Sequence, residues 1–234
     1  MNDEQRIKLF ATAPHPCSYF TDREAQTLFL DPAVEVSGPL YTQLSQAGFR
    51  RSGNHYYRPN CEGCRECVPC RVPVRDFHYS RNQRRLLSRN RDLQLRWQPK
   101  PDAQAYALYV RYISERHRDG DMYPPSREQF DSFIGAHRED SLFLHIYLAE
   151  ELLAVALCDP MGDGLSAIYT FYSPQEQRRS LGKLTVLKLI EACQQRNLPY
   201  LYLGYWIRDC QKMRYKIDYR PLELLMDQRW VRLN

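Results

Sequence analysis

Three apolar runs, Leu142 to Ala149, Leu152 to Cys158 and Leu165 to Tyr172, follow one another with only Glu150-Glu151 and a short stretch ending in Asp163-Gly164 between them. Runs of that length bounded by polar and turn residues read as strands, and gaps so short join neighbouring strands in antiparallel fashion. A chain committed to such a meander has to cover it with helices, and helical spacing lies on both sides of it. Ala103 to His117 places Ala107, Val110 and Ile113 on one face, and Ser126 followed by Gln129 forms a capping box ahead of Phe130, Phe133 and Ile134. Downstream, Leu181 to Arg196 carries Leu184, Val186, Leu187 and Ile190 as an inward face and stops at Asn197 and Pro199. Tyr200 to Trp206 is almost wholly aromatic or aliphatic, as a central strand covered on both faces requires.

Upstream the character changes. Residues 1–98 show little periodicity and many prolines, and Gln98-Pro99-Lys100-Pro101-Asp102 reads as a linker. The expectation is therefore an α+β protein in two units, a smaller cysteine-containing N-terminal domain over residues 1–98 and a larger C-terminal domain over 99–234. Two helices, three antiparallel strands, a helix and a further strand is the order of the GNAT-type acyltransferase fold, which this half of the chain resembles. In that fold the helix after the third strand begins at a turn whose backbone N–H groups bind phosphate. The matching stretch here, Gln177-Arg178-Arg179-Ser180-Leu181-Gly182-Lys183, has one glycine where a coenzyme A turn has two, which argues against an acetyl-coenzyme A transferase.

Four of the eight cysteines, Cys61, Cys64, Cys67 and Cys70, fall three residues apart. Thiols gathered so closely point to metal ligation, redox chemistry or a rigid knuckle. One unbroken run suits an iron–sulfur cluster better than zinc, which more often draws on two separated pairs. Met1-Asn2-Asp3-Glu4-Gln5-Arg6 is charged and leads into no apolar stretch, and the run 152–158 is far too short to cross a bilayer, so a cytoplasmic protein with reduced thiols is expected. Lys and Arg number 33 against 28 Asp and Glu, a small excess whose placement matters more than its size. Arg75, Arg81, Arg84, Arg85, Arg89 and Arg91 are opposed only by Asp76 and Asp92 and are interleaved with Phe77, Tyr79 and Trp97. Such a run is either a solvated face or a surface for RNA, and the preference for Arg favours bidentate contact with phosphate.

Longer motifs are more specific. Tyr200-Leu201-Tyr202-Leu203-Gly204-Tyr205-Trp206-Ile207 with Cys210, Met213, Tyr215 and Lys216, Arg179-Ser180-Leu181-Gly182, Tyr57-Arg58-Pro59 leading into Cys61, Cys64, Cys67 and Arg71, and also Cys17 and Met122-Tyr123, together resemble the arginyl-tRNA–protein transferase family over nearly the whole chain. The short length is most similar to its bacterial branch. The resemblance implies transfer of leucine from leucyl-tRNA to proteins that begin with Asp or Glu, marking them for N-terminal-rule degradation. The alternatives are arginine as the donated residue on the same acidic N-termini, or a metal-dependent RNA-binding module. The resemblance also implies a ligand set of Cys17, Cys61, Cys64 and Cys67, with Phe20 where related eukaryotic enzymes have a second cysteine, so that metal is optional.

The reaction itself requires no cofactor. An aminoacyl ester is already activated, and an α-amine with a pKa of about 7.7–8.0 is roughly one-tenth neutral at pH 7. Alignment and a stabilised oxyanion are what a protein must add. For the acidic side chain a fixed guanidinium is needed, and Arg58 and Arg71, flanking the knuckle, are the candidates. Arg178, Arg179 and Lys183 would meet the acceptor end of the tRNA, with Lys216 as a further basic contact. Tyr169, Tyr172 and Trp206 would stack on the terminal adenosine or line the aminoacyl pocket, although strand alternation sends half of such aromatics into the core. Tyr205, Asp209 and Asp218 are the candidate catalytic groups.

Overall fold

The computed structural model describes residues 7–136 and 138–234; the charged stretch 1–6 and His137 lie outside the described residues. Strands β1 (Leu9–Ala11), β2 (His15–Pro16), β3 (Glu24–Ala25) and β4 (Thr27–Leu30) precede helix α1 (Gly38–Gln46). Strands β5 (Arg50–Ser52), β6 (His55–Pro59) and β7 (Val68–Pro73), helix α2 (Arg81–Arg89) and strand β8 (Gln94–Gln98) follow. Helices α3 (Ala105–Arg116) and α4 (Arg127–Phe130) lead into the meander β9 (Leu142–Leu148), β10 (Glu151–Met161) and β11 (Gly164–Tyr172). Helix α5 (Leu181–Gln195), β12 (Tyr200–Trp206), β13 (Leu222–Met226) and β14 (Arg229–Leu233) complete the chain.

Among the described residues the strands form an eight-stranded sheet in the order β14-β13-β7-β12-β11-β10-β9-β8, a four-stranded sheet in the order β1-β4-β6-β5, and the small pair β2-β3. The pairing of β11 with β12 is parallel and the remaining pairs are antiparallel. The apolar strands fail to alternate because both faces are covered. Leu144 and Ile146 of β9 point to the side where α5 brings Leu184, Leu187 and Ile190, while Phe143 and Tyr147 point to Leu108, Tyr109 and Ile113 of α3. The Ser126 hydroxyl accepts the Gln129 N–H at 3.0 Å, the first half of the anticipated capping box. The second half is absent because Gln129 Oε1 instead accepts the Tyr109 hydroxyl, at 2.7 Å.

The division at residue 98 does not coincide with a division of the sheet. β7 lies between β12 and β13, and β8 forms the edge beside β9, so two strands from before residue 98 belong to the large sheet. Nor is 98–102 a free linker. The Asp102 carboxylate accepts the Tyr147 hydroxyl at 2.7 Å and the Gln104 N–H at 2.7 Å, which pins the segment to β9 and α3. Strand β7 is hard to recognise in the sequence because its run, Val68-Pro69-Cys70-Arg71-Val72-Pro73, begins inside the cysteine cluster and contains two prolines.

One buried ion pair ties the small sheet to the large one. Arg51 of β5 donates to Asp159 of β10 through Nε at 2.6 Å and Nη2 at 2.9 Å, and neither side chain is more than 1% exposed. Tyr41 of α1 and Ser141 donate their hydroxyls to the same carboxylate at 2.9 and 2.6 Å, and Arg51 Nη1 donates to the Gly53 and Ala136 carbonyls. Removing one partner of such a pair leaves a buried charge and costs about 3–5 kcal/mol. Arg51→Met is therefore expected to lower the unfolding free energy in urea by that amount, and the double variant Arg51→Met/Asp159→Leu to recover part of it.

Candidate active site

The site follows from a ladder that stops early. β11 pairs with β12 only from Gly164 to Ser166 against Tyr200 to Tyr202. Beyond that point Ala167 to Tyr172 pair only with β10, and Gly204 to Trp206 pair only with β7. The two strands part and leave a wedge in the middle of the sheet, the place where open sheets commonly hold ligands. At its mouth Tyr172 packs over the first turn of α5, so closely that a Cβ on Gly182 would stand 3.0 Å from its ring. The residue before the helix, Ser180, is in the left-handed conformation (φ 49°) and gives no side-chain cap to the first N–H groups of α5, the kind of helix start that attracts an anion.

Arg178, Arg179 and Lys183 gather at this helix start, as expected, but with different freedom. Arg179 is held by Asp92 at 2.8 and 2.9 Å and by Glu176 at 3.0 Å, so its guanidinium is already satisfied by carboxylates. Lys183 is exposed and stands 3.5 Å from Asp218. Arg178 is exposed, and its carbonyl accepts Arg89 Nη1 at 2.7 Å. That bond, with Asn90 Nδ2 donating to the Arg179 carbonyl at 3.1 Å, sets the end of α2 against the loop leading into α5. Helix α2 buries no residue, and its start is fixed by a true capping box of Ser80 and Gln83. Arg81, Arg84, Arg85 and Arg89 recur at three- and four-residue spacing, are exposed, and have no carboxylate within ion-pair distance among the described residues. With Arg178 they make one continuous cationic face running to the wedge.

Several candidates are engaged in contacts within the fold. Arg71 is 7% exposed; its Nε donates to Glu223 at 2.7 Å, its Nη1 to the Tyr202 hydroxyl at 2.9 Å, and its guanidinium lies 3.6 Å from the Tyr200 ring centroid and 4.2 Å from that of Trp230. It cements β7 to β12, β13 and β14 and already has a carboxylate partner in Glu223. Arg58 stacks on Phe49 at 5.1 Å, on the face of the small sheet opposite to Tyr57, whose ring is the one that meets Tyr205. Tyr205 is 3% exposed, and its hydroxyl is directed at the Gly48 and Tyr57 carbonyls at 3.1 and 3.3 Å. Burial holds its ionisation well above the usual tyrosine range, and its two carbonyl partners tie it to the small sheet. Asp209 and Asp218 are exposed, outside the enclosed setting in which a general base is tuned. Trp206 is half-buried, with Nε1 donating to the Arg214 carbonyl at 3.3 Å.

Tyr169 and Tyr172 are half-buried along the unpaired part of β11, Tyr169 packed on Phe133 at 5.0 Å and Tyr172 on Tyr112 at 4.9 Å. Lys216, expected on the surface, is 6% exposed beneath the wedge and donates to the Tyr205 carbonyl at 2.5 Å and to Met213 Sδ at 3.5 Å. The residue missed in the sequence is Arg50. Its Nη2 donates to the Ala167 and Ile168 carbonyls at 2.9 and 3.3 Å, across the parting strands, and its guanidinium lies over Gly204. The available signal was that glycine, since a glycine within a buried aromatic strand marks the close approach of another group.

Cys17, Cys61 and Cys64 lie within electrostatic reach of Cys67, and so does Cys210 from the loop after β12, whereas Cys70 is buried in the sheet. Burial pushes the Cys67 thiol up to about 12 and that of Cys70 to about 11. Among the described residues no group of three His, Cys, Asp or Glu side chains stands ready-made around a metal position. Arg23 Nη1 donates to Cys64 Sγ at 3.7 Å, and the Gln26 N–H donates to Cys61 Sγ at 3.5 Å. The knuckle therefore packs against the 23–26 strand region.

Lys216 supplies a pH test. Burial lowers its ammonium to about 8 from 10.5, with the charge of Arg50 adding to the effect. Between those values the unfolded chain holds the proton and the folded chain does not, so the stability contributed by this side chain rises from about pH 8 to 10.5 and is lost as pH falls towards 8. Lys216→Met is expected to flatten that segment of a urea stability profile measured against pH.

Comparison with known proteins bears directly on this arrangement. Residues 15–85 match the family "Arginine-tRNA-protein transferase, N terminus" and residues 104–226 match "Arginine-tRNA-protein transferase, C terminus". The chain is 51% identical over 235 residues to the aspartate/glutamate leucyltransferase of Pseudomonas fluorescens (strain Pf0-1), covering 100% of each. It is 52% identical over 231 residues to the enzyme of the same name from Marinobacter nauticus (strain ATCC 700491 / DSM 11845 / VT8), covering 98% of each. Among solved structures, FemX superposes with a TM-score of 0.48 at 12% identity, over 80% of this chain and 65% of that one. The wedge, the helix start and the knuckle thus lie within segments matched along their length, and the chain belongs to the arginine-tRNA-protein transferase family.

Proposed function

We propose that this chain transfers leucine from leucyl-tRNA to the α-amino group of proteins that begin with Asp or Glu. The observation that carries the reading is end-to-end identity of about one-half to enzymes named aspartate/glutamate leucyltransferase. Features of the fold support a place for each reactant. The element order and parting strands resemble a GNAT-type acyltransferase, with RNA phosphate taking the position at the start of α5 that coenzyme A occupies in that fold. The 3′ end of the tRNA would meet the first N–H groups of α5, Arg178 and Lys183, while the duplex stem would lie along Arg81, Arg84, Arg85 and Arg89. Tyr169 and Tyr172 would line an apolar slot for the leucyl side chain, and Trp206 a stacking surface at the end of β12.

The peptide amine attacks the ester carbonyl and forms the new C–N bond. The tetrahedral adduct then collapses, the bond to the ribose oxygen breaks, and the proton lost by the amine balances the one gained by the ribose hydroxyl. Because the ester is activated and the amine partly neutral, the protein contributes mainly alignment and a dry, donor-lined wedge. The lengthened protein, now beginning with leucine, is marked for N-terminal-rule degradation. The setting is the cytoplasm, where charged tRNA is made, and no described helix is long and apolar enough to cross a membrane.

The direct assay incubates the purified chain with leucyl- or arginyl-tRNA and peptides that begin with Asp, Glu, Lys or Arg. Label on the Asp and Glu peptides from leucyl-tRNA is expected; its absence would sink the reading, and label from arginyl-tRNA alone would transfer it to the sister activity. For the cationic face, Arg81→Glu/Arg85→Glu is expected to weaken tRNA binding and to reduce the slope of log K against log salt by roughly one for each phosphate that is no longer neutralised. Filter binding over a salt series measures it, and an unchanged slope would locate the tRNA elsewhere.

A further inference from the structure

The guanidinium of Arg50 is held on two sides. Nη2 is fixed by the Ala167 and Ile168 carbonyls where β11 leaves β12, and the group lies flat over Gly204, which has φ +77°. A Cβ at position 204 would collide with Nη1 and Cζ, so only glycine admits this placement. The cation is half-buried, yet no carboxylate lies within ion-pair distance of it among the described residues. Its charge acts instead on neutral or cationic neighbours: Tyr19, Tyr205, Cys70, Tyr215 and Lys216. Among the described residues the two buried guanidiniums are paired, Arg51 with Asp159 and Arg71 with Glu223, while half-buried Arg58 has no carboxylate and lies against the Phe49 ring and the Ala47 carbonyl. A partly desolvated, pre-positioned and unpaired guanidinium is costly unless an anion comes to it.

We propose that Arg50 is the receptor for the acidic side chain of the incoming N-terminal residue. This assignment rests on the leucyl-transfer reading above and names the residue that makes that reaction selective. A carboxylate accepting from the Arg50 N–H groups not used by the Ala167 and Ile168 carbonyls would lie near the point where β11 and β12 part. The α-amine of the same residue, one or two methylenes away, is then presented to the ester. One fork serves Asp and Glu alike, because the extra methylene changes reach and not charge. The other basic candidates do not compete for this place. Arg71 already carries a carboxylate, that of Glu223, and Arg58 is on the opposite face of the small sheet, since Arg50 sits directly across from Tyr57 in the β5–β6 ladder.

The test compares two peptides that differ only in their first residue, Asp or Asn, with leucyl-tRNA as donor. The Asp/Asn ratio of kcat/KM is expected to fall from roughly 100 in the unaltered chain to near 1 in Arg50→Gln, with tRNA binding unchanged. Arg50→Lys, which keeps the charge but loses the fork, is expected to restore part of the ratio. A ratio that survives in Arg50→Gln, or a loss of tRNA affinity matching the loss of transfer, would overturn the assignment while leaving the transferase reading intact. No transfer by the unaltered chain would overturn both. A second measurement needs no variant: Arg50 in the unaltered chain is modified with phenylglyoxal and followed by mass spectrometry. Protection by the Asp peptide and not by the Asn peptide is expected; equal protection by both, or by neither, counts against the proposal.

Discussion

The ion pair between Arg51 and Asp159 is the contact on which the site depends. It is bidentate, buried, and completed by the hydroxyls of Tyr41 and Ser141, so three side chains converge on one carboxylate. Asp159 belongs to the meander of the large sheet, and Arg51 to a short strand of the small one. The neighbour of Arg51 in that strand is Arg50. By strand alternation, anchoring Arg51 on one face sends Arg50 out of the other, towards the parting of β11 and β12. The lock that joins the sheets therefore also aims the unpaired cation into the wedge.

Sorting the arginines by their partners divides their work. Those that meet carboxylates hold the fold: Arg51 with Asp159, Arg71 with Glu223 and Arg179 with Asp92 and Glu176. Among those that do not, two sets matter for the site. The face of α2 with Arg178 is exposed and suited to phosphates, where salt-dependent attraction matters more than fixed geometry. Arg50 is enclosed and fixed, which suits one carboxylate. The cysteine knuckle lies outside both sets; its thiols meet one another, Arg23 and the Gln26 backbone.

Much of the larger half of the fold was readable from local spacing. Tyr200–Trp206 is a strand with the bounds its composition implies, the helix from Leu181 ends one residue before Arg196, and the three-strand meander is present. These elements are continuous apolar runs covered on both faces, so their signal does not depend on which partner lies beside them. The first hundred residues were less readable because their strands are short. β5 has three residues, and β7 is interrupted by prolines and by the cysteines. Strands of that kind exist only by pairing, and β7 finds its partners far along the chain. The same is true of the edge strand β8, which made residues 98–102 look like a linker.

The sequence alone determined the class of fold, the membership of a family through its motifs, and the cationic character of residues 75–91. Each follows from residue type and near spacing. Only the tertiary structure decided which charges are spent and which are free. Arg71 looked available until a glutamate 152 residues away took its Nε, and Lys216 looked exposed until it was found donating to a strand carbonyl beneath the wedge. Arg50 carried no signal of its own in a polar stretch; the hollow it occupies is made by Gly204 and by two strands that stop pairing after Ser166. Pairing and burial are set by contacts across the whole chain, and it is burial without a partner that turns an ordinary arginine into a candidate receptor.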